Sequence, residues 1–240
     1  MSVVRVVGAA AIAVAGMLLC GVRGCAATAE VPSFLLFGGT DLWRYGQFLY
    51  GGALWSPAGI DADGFTLKLL VNGGRYSYVS GDLQTDVHGT MASGAVMPGW
   101  RFIRDGLTVS VFAGPVVQDY RLSPYDPGSR LHGLYSGGQL ATDIWYQPRA
   151  AIMVAVSGAL ASIGPTGFLR TALGYRIFDA MFVGPEAAAL WCGDFQQVAV
   201  GGHVTAWRLG ALEWSAGGGI AIDSDKRTGP YLRLGVSTKF

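Results

Sequence analysis

The last twelve residues, 229–240, constrain the fold of this chain more than any other segment. Leu232 and Leu234 fall on one face of an extended strand, and Arg233 and Lys239 fall on the other. One face can contact hydrocarbon and the other can contact water. A half-buried strand of a soluble protein alternates in the same way, so the segment predicts a β fold without choosing a compartment.

The chain closes on an aromatic residue, Phe240, which strands of soluble proteins rarely do. This ending resembles the last strand of bacterial outer-membrane barrels, which the insertion machinery of that membrane reads. If the fold is such a barrel, the same alternation must return along the whole chain.

The first residues predict export. Residues 1–29 contain one early positive charge, Arg5, an apolar run from Val6 to Leu19, and a small-residue site at Ala27-Thr28-Ala29. The apolar run is shorter than the roughly 20 residues that a membrane-spanning helix needs. We therefore expect a cleaved signal peptide over residues 1–29 and one outer-membrane β-barrel domain over residues 30–240.

The cysteines, the composition and the net charge exclude some classes of protein and partner. Cys20 and Cys25 lie in the expected leader, where they leave lipidation as an alternative, so Cys192 stands alone and no internal disulfide is expected. The composition is 51% hydrophobic and 14% charged, which excludes a disordered chain. A net charge of +1 gives no reason to expect a nucleic acid as a partner.

Clusters of Gly, Pro, Asp and Ser divide the chain into about twelve extended segments. Most are longer than the usual 5 to 6 residues of a globular strand and approach the roughly 9 to 11 of a membrane-crossing strand. The sequence therefore predicts an all-β, up-and-down antiparallel transmembrane β-barrel. The expected strands lie near residues 34–40, 46–55, 64–78, 85–103, 107–121, 133–146, 150–162, 168–178, 181–191, 195–207, 211–223 and 229–240.

Alternation within the segments predicts which face meets lipid. In the eighth segment Leu169 and Leu173 share the apolar face, and Arg170 and Arg176 share the opposite face with a glycine. An ionised group facing lipid costs about 2–4 kcal/mol at mid-membrane, so the charged face is the predicted lumen. The lumen-lining candidates are Arg101, Arg121, Asp143, Arg170, Arg176, Glu186, Glu213 and Arg233. They line a channel or form a mutually paired plug.

Connections between the segments alternate in length. Tight turns are predicted at 104–106, 147–149, 179–180 and 208–210, and longer polar loops at 122–132 and 223–228. Outer-membrane barrels have short periplasmic turns and longer outer loops, which places both termini in the periplasm. The linker Ser56 to Asp63 is long where a short turn is expected, and a bulge is expected at Pro98-Gly99.

Aromatic residues near the predicted strand ends favour two interfacial girdles over the ordinary abundance of aromatics in β proteins. They are Trp43, Tyr45, Trp55, Trp100, Trp145, Tyr146, Phe178, Phe182, Trp191, Trp207 and Trp214.

The hairpin around Arg208-Leu209-Gly210 holds the best catalytic candidates. With a three-residue turn, Thr205 pairs with Glu213 and His203 pairs with Ser215, which places a base, a hydroxyl and a carboxylate on one face. His203-Val204-Thr205 is also similar to the His-x-Ser of outer-membrane lipid A deacylases. A lipid hydrolase needs a lipid-exposed nucleophile, however, and this face is the predicted lumen. We favour a satisfied polar cluster over a catalytic triad.

Other chemistry is weakly supported. His88 and His132 have no partner at metal-ligand spacing, so neither a metal site nor a cofactor is expected. Asp61-Ala62-Asp63-Gly64 and Asp223-Ser224-Asp225 are similar to fragments of calcium loops but lack the downstream Glu, and ordinary turn chemistry explains them better.

Several runs of residues occur together and in order along the chain. They are Asp41-Leu42-Trp43, Phe48-Leu49-Tyr50-Gly51-Gly52, Trp55-Ser56-Pro57, Gly64-Phe65-Thr66-Leu67-Lys68, Gly73-Gly74-Arg75-Tyr76, Met97-Pro98-Gly99-Trp100-Arg101, Arg104-Asp105-Gly106-Leu107, Leu122-Ser123-Pro124, Asp126-Pro127-Gly128, Gly184-Pro185-Glu186 and Glu213-Trp214-Ser215-Ala216-Gly217. They resemble the cellulose biosynthesis protein BcsS family of Gram-negative bacteria. The resemblance implies an exported accessory of bacterial cellulose production and supplies no catalytic residues.

Three functions remain as hypotheses. The first is a non-enzymatic outer-membrane barrel that contacts outer-membrane lipid and assists cellulose biosynthesis or export, with cellulose or periplasmic export components as candidate partners. The second is an outer-membrane lipid hydrolase that uses His203, Thr205 or Ser215, and Glu213. The third is a small pore for glycans or other solutes.

Overall fold

The computed structural model describes residues 31–164, 166–178, 181–193 and 195–240. The expected signal peptide and the expected turn at residues 179–180 lie outside them. Among the described residues, no helix is long and apolar enough to cross a membrane. The strands are β1 (Phe34–Trp43), β2 (Gly46–Trp55), β3 (Gly64–Val79), β4 (Asp86–Arg104), β5 (Leu107–Ser123), β6 (Gly133–Arg149), β7 (Ile152–Ala161), β8 (Thr166–Ile177), β9 (Met181–Cys192), β10 (Phe195–Leu209), β11 (Leu212–Asp223) and β12 (Thr228–Lys239).

The strands close into one barrel. Each strand pairs antiparallel with its neighbours in the chain, and β12 returns to pair with β1 along its length, from Leu35↔Lys239 to Trp43↔Tyr231. The predicted twelve-stranded up-and-down barrel is therefore confirmed. The first strand is longer than predicted, because it continues to Trp43.

Side-chain alternation places an apolar surface outside and a mixed surface inside. In β8, Leu173 is 54% exposed on the outer surface, whereas its neighbour Ala172 is 2% exposed inside the barrel. In β3, Leu69 and Val71 point outward and are exposed, whereas Lys68, which precedes Leu69, points inward and is buried. The predicted faces of the third, fifth and eighth segments are confirmed.

The two ends of the barrel differ in their connections. We call the end where β1 begins and β12 ends the terminal end, and the opposite end the loop end. The terminal end holds the connections 56–63, 105–106, 150–151, 178–180 and 210–211, and the loop end holds 44–45, 80–85, 124–132, 162–165, 193–194 and 224–227. Apart from 56–63, every terminal-end connection is short, as the sequence predicted. Two of the turns lie later than predicted, because β6 continues to Arg149 and β10 continues to Leu209, so the turns fall at 150–151 and 210–211 and not at 147–149 and 208–210.

The bulge predicted at Pro98-Gly99 is wrong. Pairing between β4 and β5 is interrupted after Ala95↔Val116 and resumes at Gly99↔Phe112 in an unchanged register. Pro98 lacks an N–H, so it removes a ladder hydrogen bond without inserting an extra residue. The register instead shifts in β6 between Tyr146 and Arg149, and in β10 between Val204 and Trp207.

The aromatic girdles are present only in part. Trp55, Trp100 and Trp207 are exposed on the outside of the barrel. Trp43 and Phe182, by contrast, are buried inside, because they occupy inward positions of β1 and β9. These inward aromatics help to fill the lumen.

Candidate functional site

Glu186 of β9 is a buried carboxylate inside the barrel, and its side chain is 1% exposed. It accepts hydrogen bonds from three side chains. Its Oε2 accepts hydrogen bonds from Arg233 Nη2 at 2.7 Å and from Arg170 Nε at 3.0 Å. Its Oε1 accepts the Tyr231 hydroxyl at 2.9 Å. We call Glu186, Arg170, Arg233 and Tyr231 the lumen cluster. Because β9 and β12 are three strands apart in the ring of twelve, the cluster links strands of the wall that are not hydrogen-bonded neighbours.

Gly217 of β11 leaves the space that the lumen cluster occupies. A Cβ atom at this position would lie 2.0 Å from Glu186 Oε1 and 2.9 Å from Arg233 Nη2. Both distances are below van der Waals contact, and the carboxylate is already held by three donors. Glycine is therefore the residue that fits opposite the cluster.

We expect Gly217→Ala to destabilise the barrel by about 1–3 kcal/mol, because the added methyl group overpacks the cluster. The midpoint of urea unfolding of the purified protein measures this loss. Gly94→Ala is the matched control, since no atom lies within 4 Å of a Cβ built there. Equal losses in the two variants would contradict the steric argument.

A second charged group lies nearer the terminal end. Lys68 Nζ is 2.6 Å from Asp143 Oδ2, and it lies 4.8 Å from the centroid of the Phe112 ring. Arg101 Nε donates to Ser110 Oγ at 3.0 Å, and its Nη1 donates to the carbonyl of Ile60. The cations of this half of the lumen are therefore paired with carboxylate, hydroxyl, carbonyl or aromatic partners.

The long linker 56–63 closes part of the terminal end. Its Ile60 is 1% exposed and donates its N–H to the Pro32 carbonyl at 2.7 Å. Asp61 pairs with Lys239 at 2.7 Å, and Asp63 pairs with Arg104. The linker is long where a short turn was expected because it folds inward and packs an apolar side chain into the barrel.

Aromatic side chains fill the lumen toward the loop end. Phe195 of β10 is 0% exposed, and its ring centroid lies 6.0 Å from Trp43 of β1 and 5.6 Å from Tyr76 of β3. We call Trp43, Tyr76 and Phe195 the aromatic layer. Its rings come from three different parts of the wall, so they meet across the interior.

The connection 124–132 covers the aromatic layer, and we call it the lid. Tyr78 of β3 donates its hydroxyl to Asp126 Oδ2 at 2.8 Å, and Gly128 donates its N–H to Asp126 Oδ1 at 3.0 Å. On the other side, Leu131 is buried against Gly164 and Gly193, where a Cβ atom would lie 2.5 Å and 3.0 Å from its side chain. The lid therefore crosses the opening of the barrel at the loop end, from β3 to the connections that contain Gly164 and Gly193.

The lid carboxylate makes closure dependent on pH. Burial acts to raise the pKa of Asp126, but hydrogen bonds from Tyr78, Ser80 and backbone N–H groups outweigh it and hold the pKa below its ordinary value. Because the folded pKa lies below the unfolded one, the carboxylate stabilises the closed lid above the unfolded pKa. This contribution is lost as the pH falls through the folded pKa.

We therefore expect the lid to loosen below about pH 4. The mobility of a spin label attached at position 127 measures the change. In Asp126→Asn the label should already be mobile at neutral pH and respond little to acid. Asp105→Asn, in a turn at the terminal end, is the control and should behave as wild type. An acid response that survives Asp126→Asn would assign it to another group.

His203 is part of the lumen and not of a triad. Its Nε2 lies 3.0 Å from the Leu173 carbonyl, which can only accept, so Nε2 carries the proton. Its Nδ1 then accepts the Thr205 hydroxyl at 2.8 Å. The imidazole is 4% exposed, and both of its nitrogens are used.

The predicted pairing around His203 is wrong. The turn falls at residues 210–211 and not at 208–210, because β10 continues to Leu209, so Arg208 pairs with Glu213. The bulge between Val204 and Trp207 then adds one residue to β10, so His203 pairs with Gly217. Ser215 faces the bulge, and Glu213 forms an exposed ion pair with Arg208 at 3.2 Å. The carboxylate is therefore not available to orient the imidazole.

Most of the predicted lumen residues point inward. Arg101, Asp143, Arg170, Arg176, Glu186 and Arg233 occupy inward positions of their strands. Arg121 does not, because the alternation of β5 places it on the outer surface, where it pairs with Asp119 at 3.0 Å with 49% of its side chain exposed. Glu213 has inward parity but lies at the rim of the terminal end.

Sequence reasoning missed Tyr231 and Lys68 as lumen partners. Both lie on the inward face by alternation, but alternation does not show which side chains meet across the lumen. Among the described residues, no three His, Cys, Asp or Glu side chains are arranged to hold a metal ion.

Comparison with known proteins decides the family. A model of the family described as cellulose biosynthesis protein BcsS matches residues 35–240. The chain belongs to the BcsS family. No match was found among curated proteins. For this BcsS-family chain, the resemblance drawn from sequence runs is thus confirmed.

The BcsS-family chain has the fold of an outer-membrane barrel, which its likeness to one solved structure shows, and two further structures are similar at lower scores. An outer membrane channel from Pseudomonas putida F1 matches with a TM-score of 0.53 at 10% identity, over 91% of this chain and 99% of that one. The KdgM porin matches with a TM-score of 0.46 at 10% identity, over 86% and 99%. The translocator domain of the autotransporter NalP from Neisseria meningitidis matches with a TM-score of 0.47 at 11% identity, over 99% and 96%.

Proposed function

We propose that this BcsS-family protein is a non-enzymatic accessory of cellulose biosynthesis or export that lies in the bacterial outer membrane as a closed scaffold. The observation that carries the proposal is the filled lumen. The lumen cluster, the aromatic layer and the lid each connect strands or loops that are not neighbours in the wall. Such an interior holds the barrel rigid and gives a polymer or solute no continuous path.

The outer surface supports placement in a membrane. Leu140, Leu173, Val200 and Ile220 are exposed on four different strands, which a water-soluble barrel would not tolerate as a continuous band. The likeness to outer-membrane barrels supports the same placement. Lipid is then the partner of this surface, and cellulose or periplasmic export components are the candidate partners of the two ends.

The geometry around His203 argues against a lipid hydrolase. The imidazole is buried inside the barrel and the nearby carboxylate, Glu213, is paired with Arg208. A hydroxyl that attacks an acyl chain must meet lipid, whereas Thr205 points at His203 from the same inward face. Measurement of acyl hydrolysis on lipid vesicles tests this directly, and activity lost in His203→Ala would overturn the non-enzymatic assignment.

A deletion strain tests the role in cellulose production. We expect less secreted cellulose, with normal activity of the synthase in isolated inner membranes if the barrel acts in export, and reduced activity if it acts in synthesis. Expression of the wild-type chain should restore the product. A normal amount of cellulose together with normal synthase activity in the deletion strain would contradict the proposed function.

A further inference from the structure

A cleft of about 490 Å³ lies at the rim of the loop end, between β9, β10 and the lid. Trp191 and Gln196 contribute from the outer face of the wall, Gln197 contributes from the inner face, and Arg130 reaches in from the lid. Its volume is within the range of small-ligand sites, which is about 300–1,000 Å³.

The indole of Trp191 is held in place by its neighbours on the sheet. It pairs across the strands with Gly167 of β8 and with Gln196 of β10. A Cβ atom at Gly167 would lie 2.8 Å from Cζ2 of the indole, so the ring packs on the bare glycine backbone. The ring is therefore a fixed aromatic wall of the cleft.

The polar side chains of the cleft have unused hydrogen-bonding capacity. Within the described part of the chain, the side chains of Arg130, Gln196 and Gln197 form no hydrogen bond or ion pair with another residue. Together they offer several N–H donors and two amide carbonyl acceptors to whatever fills the cleft. The two amides favour a ligand that both donates and accepts hydrogen bonds, such as one that carries several hydroxyl groups.

We propose that this rim cleft binds a short stretch of a neutral polysaccharide chain of β-linked glucose units. The apolar face of a sugar ring stacks on Trp191, and the amides and the guanidinium bind its hydroxyl groups. The choice of a glucan rests on the proposed function in cellulose production. Because Arg130 belongs to the lid and the adjacent Leu131 is buried against Gly164 and Gly193, the bound chain also contacts the segment that closes the mouth.

Titration of the full-length protein in detergent with cellotetraose, followed by calorimetry, tests the proposal. Trp191→Ala should weaken binding by about tenfold or more, since a buried aromatic contact of this kind dominates such sites. Gly167→Val should weaken it as well by displacing the indole. Tyr125→Ala is the control, because this exposed aromatic of the lid does not line the cleft. Heat-dependent mobility in SDS shows that each variant is folded.

A second titration uses vesicles that contain lipopolysaccharide, whose sugars also lie at the outer rim of such barrels. Binding of cellotetraose that is unchanged in Trp191→Ala, or absent in wild type, overturns the proposal. Binding of lipopolysaccharide alone overturns it too and makes the cleft a lipid site. A deletion strain with normal cellulose would remove the proposed function while leaving a measured cellotetraose affinity intact, so the two failures are distinguishable.

Discussion

In a planar bilayer, the wild-type protein should show no steady ion conductance, whereas a variant that lacks every layer of the lumen should conduct. The variant replaces lid residues 124–132 with a short glycine-serine turn and has alanine at the three positions of the aromatic layer. It also carries Arg170→Ala, Glu186→Ala, Arg233→Ala and Ile60→Ala, which remove the lumen cluster and the apolar side chain of the linker. Removal of the lid alone should not suffice, because the aromatic layer lies beneath it and Phe195 is 0% exposed. Conductance should therefore appear only when the layers beneath the lid are removed as well.

The control for this experiment carries the intact lid and removes aromatic bulk from the outer surface by Tyr175→Ala and Trp100→Ala, both of which are exposed. It should stay silent and show the same heat-dependent mobility as wild type. Steady conductance by the wild-type barrel would contradict the closed scaffold and favour the pore hypothesis. Conductance by the control would show that general loosening, and not the opened path, carries the current.

Glu186→Gln should destabilise the barrel by about 3–5 kcal/mol, because it leaves Arg170 and Arg233 inside the barrel without their carboxylate. The amide fits the same space but cannot compensate two guanidinium charges. The midpoint of urea unfolding and the temperature of the mobility shift in SDS measure the effect. Glu213→Gln is the matched control at the exposed pair with Arg208, and its cost should stay below about 1 kcal/mol.

A double variant separates charge from packing. Glu186→Leu with Arg233→Met removes one charge of each sign, and replacement of both partners of a buried pair is often close to neutral. It should therefore be more stable than Glu186→Gln alone. If the double variant is the less stable of the two, packing of the cluster and not its electrostatics governs this part of the lumen.

The strands and their faces were predictable because one rule, alternation between lipid and lumen, acts at every residue. Leu169 and Leu173 could not face inward without exposing Arg170 and Arg176 to lipid. The short length of the terminal-end turns was predictable from their Gly and Asp residues, but their positions were less so, since two of them lie later than predicted, at 150–151 and 210–211. The family could be inferred from ordered runs along the chain, and the match over residues 35–240 confirms it.

The contacts across the lumen were not predictable. Whether Glu186 meets Arg233 depends on the stagger of strands that are not neighbours, and this stagger accumulates around the closed barrel. The pairing near His203 was predicted wrongly because the turn was expected at residues 208–210, whereas β10 continues to Leu209 and the turn falls at 210–211. A bulge also shifts the pairing by one residue; it is accompanied by a left-handed backbone at Ala206, with φ of 62°, and an alanine gives no signal of such a conformation.

The strands that meet at the loop end differ in length, and this difference determines where the lid lies. In β6, residues 133–137 continue past the last partner in β7, which is Gln139↔Ala161 with a further contact at Gly138. The hairpin β5–β6 thus extends beyond the neighbouring strands. It places the lid, which connects its two strands, over Gly164 and Gly193 in the shorter connections of the loop end. Shortening β5 and β6 by two residues each would shorten the hairpin by about 6.6 Å and break the contacts of Leu131 with Gly164 and Gly193. We therefore expect related chains with a shorter hairpin to expose the aromatic layer at this end without any change in the barrel beneath.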